Sequence, residues 1–303
     1  MQLDAGRHGI GRGLALALLL LITGCTASGS DGGGRADSGS AIPQRVVSMN
    51  PCVDAILKEI ADPEQIAGIS SYSQDPLSSS VPMTWAAQFP AVGNEAEDII
   101  ARRPDLVIAG SMVAPQTVKA LERLNIPLLQ LGVPASVAES KAEIAGVAAA
   151  IGRKDRGEAL NHAIDRAVYS AAPSPDARTP SALIWQDSGL VPGKDTLANE
   201  LLEKAGFHSM SEQLGLSQWD ILSLEDLVWS SPDIVMTGMA GMAGVGGSGD
   251  ARMKRHPVLR DNRVPMTIAE FPSHLLHCGG PVIIPTIQRL SHIRAQWVSE
   301  HSS

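Results

Sequence analysis

The sequence predicts an α/β protein of two lobes, each built on a mostly parallel sheet, joined by one long helix. Three observations predict it. Fourteen residues occur twice at an offset of 128, Glu97-Asp-Ile-Ile-Ala-Arg-Arg-Pro-Asp-Leu-Val-Ile-Ala-Gly110 and Glu225-Asp-Leu-Val-Trp-Ser-Ser-Pro-Asp-Ile-Val-Met-Thr-Gly238, with six identities. Each copy reads as a short helix opened by acids, a Pro-Asp turn and a strand-length apolar run ending at Gly, which is half of an α/β unit. Strand and helix patterns alternate through the first half of the chain, as in a doubly wound sheet. Between the two copies lies a stretch from Ser136 to about Ala171 that has no proline and is rich in alanine, with apolar residues at helical spacing.

At the amino terminus Arg7, His8 and Arg12 precede the apolar run Leu14 to Ile22, which ends at Ile22-Thr23-Gly24-Cys25. The run is too short for a permanent bilayer span and reads as an export signal over residues 1–24. Its last four residues resemble the bacterial lipoprotein box. That resemblance implies that Cys25 becomes the acylated first residue, anchoring the protein at the periplasmic or cell-surface side of a membrane it does not cross. Residues 25–44, rich in Gly, Ser and Ala, read as a flexible tether, with ordered structure from Arg45. Removing residues 1–24 takes away Arg7, Arg12 and Asp4 and leaves 22 basic against 31 acidic side chains, a net of −9. Such acidity excludes nucleic acid as a partner and leaves acyl chains rather than charge to hold the protein at a membrane.

Residues 45–134 read as the first lobe: strand Arg45 to Ser48, helix Val53 to Ile60, strand Gln65 to Ser70, helix Ala96 to Arg102, strand Leu106 to Ala109, helix Thr117 to Leu124 and strand Pro127 to Leu131. In such an order the loops after the strands line the ligand site: Met49 to Cys52, Ser71 to Ala91, Ser111 to Gln116 and Gly132 to Pro134. The connecting helix takes residues 135–172, with Gly152 as the one place where it would break. Pro173 to Pro180 ends it. The second lobe, 180–303, reads as strand Ala182 to Trp185, helix Thr196 to Ala205, strands Ile234 to Thr237 and Arg263 to Ile268, and a closing helix Pro281 to Val298.

Lobe, long helix and lobe behind a lipoprotein start resemble the substrate-binding proteins of ABC importers for ferric siderophores, haem and cobalamin. The resemblance rests on Arg45-Val-Val-Ser-Met-Asn-Pro, Gly68-Ile-Ser-Ser-Tyr-Ser, the two Pro-Asp turns, and Trp219 ahead of Leu224-Glu225. It implies the class III periplasmic binding protein fold, a metal chelate held in a shallow cleft between lobes, a monomer with no cofactor and no catalysis, and delivery to ABC permease and ATPase subunits. It also implies that Glu97 and Glu225 dock into the permease, although an acid in a first helical turn also simply favours the helix dipole. For the ligand it points to Tyr72, Trp219 and the loop from Phe271, with Asn50 on the first cleft loop and Trp85 as further positions; aromatic faces suit a corrin, porphyrin or catecholate edge. Trp185, inside an apolar strand, reads as core.

Cys52 sits on a first-lobe cleft loop, and His274-Leu-Leu-His277-Cys278 on a second-lobe loop. Three arrangements fit: separate thiols beside surface histidines, metal ligation by Cys52, His277 and Cys278, or a disulfide if the Cα atoms come within about 7 Å. The ligation arrangement keeps two alternative functions open, a direct binder of a free transition metal and an extracytoplasmic metal-dependent enzyme. A formal G-x-G-x-x-G at Gly244 to Gly249 does not follow its strand directly, so dinucleotide binding is set aside. No P-loop occurs, and Asp250 stands where a hydrolase elbow around Ser248 needs glycine.

Overall fold

A computed structural model describes residues 42–186, 189–238 and 265–302. Cys25, the tether up to residue 41 and the glycine run 244–249 lie outside the described residues. In the first lobe β1 (Val46–Ser48) is central to a parallel sheet in which β2 (Ile66–Ser70) and β3 (Ala91–Val92) lie on one side and β4 (Leu106–Gly110) and β5 (Leu128–Leu131) on the other. The second lobe repeats the plan with β6 (Ser181–Ile184), β8 (His208–Ser209), β10 (Ile234–Thr237) and β11 (Thr267–Glu270) in the order β11-β10-β6-β8, again all parallel. A small antiparallel ribbon of β7 (Leu190–Val191) and β9 (Asp220–Ile221) flanks it.

The sequence repeat is a structural repeat, down to its turn chemistry. The helix of each copy, α3 (Ala96–Ala101) and α8 (Leu224–Ser230), is followed by a left-handed residue at the matched position, Arg103 at φ 49° and Ser231 at φ 42°. The turn aspartates then do the same work. Asp105 Oδ1 accepts from Arg45 N at 2.9 Å and Asp233 Oδ2 from Ser181 N at 2.8 Å, so each carboxylate satisfies the amide at the start of the neighbouring strand. The closing glycines also match: a Cβ on Gly110 would lie 2.5 Å from Asn50 Nδ2, and one on Gly238 3.3 Å from Gln186 Oε1. Asn50 and Gln186 each stand two residues beyond the first strand of their lobe, so glycine makes room for an amide side chain at the same place twice.

Both sheets turn one face to a common core. Along β1, β4, β6 and β10 alternate residues divide: Val46, Leu106, Ile108, Ala182, Ile184, Ile234 and Met236 enter one cluster that runs through both lobes, as a strand's period of two requires. Val47, Val107, Leu183 and Val235 point the other way into outer clusters. Burial on both faces is why these strands read as unbroken apolar runs.

The long connecting element is two helices, α5 (Val137–Ala150) and α6 (Lys154–Ala171), packed antiparallel. Gly152, at φ +70°, reverses the chain, which a side chain would resist. A Cβ on Gly157 would lie 2.4 Å from Ala148 Cβ, so the hairpin closes on that glycine. Farther along, Asn161 Nδ2 donates to Lys141 O at 3.1 Å and Lys141 pairs with Asp165 at 2.5 Å. α6 runs from one lobe to the other: Arg156 near its start donates to Ile60 O, and Ala171 at its end accepts from Arg294. At 18 residues it is about 27 Å long. Arg294 belongs to α9 (Ile283–Glu300), which packs on α6 and on α7 (Leu197–Lys204).

Two expectations shift at their edges. Ile42 to Gln44, assigned to the tether, lie on the body: Ile42 packs against Gly152, Pro43 O accepts from Gln65, and Gln44 N donates to Asp105. The last strand runs Thr267–Glu270 rather than from Arg263, which lies outside the described residues.

Candidate functional site

A cavity of about 380 Å³ opens between the lobes. From the first lobe it is lined by the start of α1 (Pro51–Ile60) with Asn50, by the loop Leu131 to Ala135 and by Glu143 on α5. The second lobe supplies Asp195 to Ala198 at the start of α7, Gln218 and Trp219, and the strap Leu275 to Gly280. Local signals place these groups. Asn50 caps α1 by accepting from Cys52 N at 2.7 Å, with Pro51 at the first helical position. Thr196 caps α7 by accepting from Asn199 N.

The walls are mostly apolar, with a few polar groups, the usual make-up of a small-molecule site. The titratable lining groups are Glu143, Asp195 and His277, and no lysine or arginine is among the described residues that line it. Burial raises the Glu143 carboxyl above its ordinary range, against a hydrogen bond from the Gly132 amide. Burial, with the neighbouring His274 second, lowers His277, which favours the neutral imidazole. Behind this wall Asp54 on α1 is fully buried and accepts from Ser70 N at 3.0 Å and Ser73 Oγ at 2.6 Å. Burial pushes it up to about 7, although Ser48, Ser73 and the Ser70 amide favour the charged form.

Cys52 and Cys278 form a disulfide, with Cα atoms 5.2 Å apart. It crosses from α1 of the first lobe to the second-lobe strap and forms part of the cavity wall. Other contacts sew the same seam: Ser80 Oγ donates to Cys278 Sγ at 3.2 Å, Gly280 N to Ser140 Oγ at 2.6 Å, and Val137 N to Glu200 Oε2 at 2.6 Å. Of the three arrangements the sequence allowed, the structure therefore holds the disulfide. Ligation by Cys52, His277 and Cys278 is corrected, because bonded sulfurs are not thiolates; among the described residues no group of three or more His, Cys, Asp or Glu is arranged to hold a metal.

The other candidates separate. Asn50, Cys52, Trp219, His277 and Cys278 line the cavity, and Trp219 is 40 % exposed. Tyr72 is half exposed on the turn after β2 but is not in the cavity wall. Trp85 stacks at a tilt on Phe89, ring centres 4.8 Å apart, against the core. Phe271 is corrected: it is 0 % exposed, part of the common core, and its amide continues the ladder to Thr237 O at 2.7 Å. Trp185 is buried and donates to Leu222 O. Glu97 and Glu225 are exposed in the first turns of α3 and α8. The expected cleft loop Gly132 to Pro134 lines the cavity, whereas Ser111 to Gln116 does not. Sequence reasoning missed Glu143, hidden in a helical pattern, and Asp195 to Ala198, whose signal was the Thr196 cap.

Among known proteins, the model of a family described as periplasmic binding protein matches residues 46–263. A cobalamin-binding protein of Halobacterium salinarum is 26 % identical over 202 residues, 65 % of this chain and 54 % of the relative. This chain thus spans about half the length of the curated relatives it matches. The periplasmic heme-binding protein RhuT of Roseiflexus sp. RS-1, in apo form, superposes with a TM-score of 0.66 at 23 % identity, over 84 % of this chain and 98 % of that one. The periplasmic vitamin B12 binding protein BtuF of Vibrio cholerae gives 0.62 at 13 %, over 84 % and 98 %. These similarities establish the two-lobed α/β fold.

Proposed function

We propose, from the premise that this chain belongs to the periplasmic binding protein family, that it is the extracytoplasmic binding subunit of an ABC importer, holding a metal chelate between its lobes without altering it. The observation that carries this is the cavity itself: it draws on both lobes, is walled mainly by apolar groups, and presents Trp219 at its edge. Charge then selects among chelates. Glu143 and Asp195 face the cavity with no lysine or arginine among the described lining residues. A porphyrin or catecholate complex brings anionic oxygens that such a wall repels, whereas a corrin edged with uncharged amides finds acceptors. Cobalamin is therefore the favoured cargo, in keeping with the name of the Halobacterium relative.

In this reading Cys25 carries the lipid anchor, the protein is a monomer, and Glu97 and Glu225 meet the permease. The matched placement of those two acids in the structural repeat suits a permease of two similar halves, each receiving one anion. Calorimetric titration of the purified chain with cobalamin, haemin and a ferric catecholate tests it. Cobalamin is expected to bind in the micromolar range or tighter, unchanged on recovery. Tighter binding of haemin, or none of any chelate, would overturn the assignment.

A further inference from the structure

We propose that the Cys52–Cys278 bond is a redox-responsive latch on the ligand cavity: oxidised it holds the middle of the strap, 277–279, in ligand-gripping form, reduced it lets that stretch relax and the ligand go. The inference rests on the reading that the cavity holds a chelate.

Position carries the argument. The bond is in the cavity wall and joins opposite lobes. It is not what keeps the lobes together, because the hydrophobic core runs through both and α6 links them. Breaking it therefore acts where it sits. On the second-lobe side lies a 3₁₀ turn, Ser273–Leu276, then His277, Cys278 and two glycines, Gly280 at φ +62°. Beyond the sulfur bond this strap is fixed at its two ends, by Thr286 Oγ1 donating to Leu275 O at 2.9 Å with Leu275 buried in the core, and by Gly280 N donating to Ser140 Oγ; between them Ser80 Oγ reaches Cys278 Sγ. Reduction thus loosens the short stretch His277 to Gly279 while Leu275 and Gly280 stay anchored.

The chemistry is also directional. Cys52 is partly exposed and Cys278 only 8 % exposed. A dithiol reductant attacks through its thiolate at Cys52 Sγ, forming a mixed disulfide. The electron pair of the broken bond leaves on Cys278, whose thiolate accepts from Ser80 Oγ, 3.2 Å away, and then takes a proton. The reductant's second thiol displaces Cys52 as a thiol and the reductant ends as a disulfide, two electrons having passed to the protein. A ligand in the cavity covers Cys52. Coupling is reciprocal: whatever factor reduction costs in affinity, bound ligand returns as resistance to reduction. A tenfold loss of affinity corresponds to a potential about 30 mV more negative with ligand bound.

The test uses the full chain in detergent with cobalamin as probe, titrated in oxidising buffer and after reduction by dithiothreitol, and a redox titration with and without cobalamin. The dissociation constant is expected to rise at least tenfold on reduction, the potential to fall by about 30 mV with ligand, and a Cys52→Ser, Cys278→Ser double variant to bind weakly whatever the buffer. Equal affinity in both states and a potential unmoved by cobalamin would overturn the latch, leaving the bond a staple. If no chelate binds in either state the transport reading fails. The latch is then judged by hydrogen exchange: amides of 277–279 must quicken at least tenfold on reduction while those of β1 and β10 do not, and uniform or unchanged exchange refutes it.

Discussion

Trp219 and Asp54 show what single residues contribute. Trp219 is half out of the protein, at the cavity edge, on a chain with few aromatics. Removing such a ring from a ligand face costs about 1–2 kcal/mol, roughly five- to thirtyfold in affinity. Trp219→Ala is expected to weaken cobalamin binding by that factor in a calorimetric titration with the melting temperature within about 2 °C of the parent; unchanged affinity would remove the ring from the site. Asp54 works through pH. Below its unfolded value of 3.8 both states hold the proton, whereas from there to about 7 only the folded state does. Its contribution is thus full at low pH, falls as pH rises through that window and is level above it, on the order of 4 kcal/mol in all. Asp54→Asn, which keeps the acceptor for Ser70 and Ser73, is expected to gain at least about 2 kcal/mol relative to the parent between pH 5 and pH 8 in urea unfolding. An equal difference at both values would mean that the buried carboxyl does not titrate there. The residue scale is also where the sequence was least legible. Phe271 and Trp219 are both aromatic residues in loops, and only the sheet geometry turns one into the core and the other to the cleft.

At the scale of elements, the sequence was legible wherever local chemistry decides. The repeat announced matching helices, turns and strands because Pro, Asp and Gly each have a physical duty there, seen in the paired roles of Asp105 and Asp233. The connecting segment was harder. Alanine-rich helical periodicity runs through Ser136 to Ala171 without change, and only Gly152 hints that the chain doubles back. What fixes the hairpin is a tertiary contact, Gly157 against Ala148, invisible in either helix alone. It gives a test in which propensity and packing disagree. Alanine normally stabilises a helix interior by about 1 kcal/mol over glycine. Here its Cβ would stand 2.4 Å from Ala148 Cβ. Gly157→Ala is therefore expected to destabilise by about 1–3 kcal/mol, and a further Ala148→Gly to restore most of it in thermal unfolding. Stabilisation by the single change would show that the helices separate at no cost.

For the whole molecule, one core under two sheets makes a body that unfolds as a unit and gives the lobes little room to swing. In the proposed importer, recognition by the permease then reads fixed points on the surface. Glu97→Arg with Glu225→Arg is expected to leave cobalamin affinity within about twofold while reducing uptake in reconstituted vesicles at least tenfold; uptake at the parent rate would free both acids of any docking role. The disulfide has a consequence for how this body is made. Its cysteines are 226 residues apart, so during synthesis Cys52 emerges long before its partner exists. For that interval the one other cysteine in the chain is Cys25. In the proposed lipoprotein that sulfur is alkylated by the lipid, which withdraws it from pairing. The anchor then guards the fold: a Cys25 left unmodified is the competitor that would trap the nascent first lobe in the wrong loop before the strap carrying Cys278 arrives to close the right one.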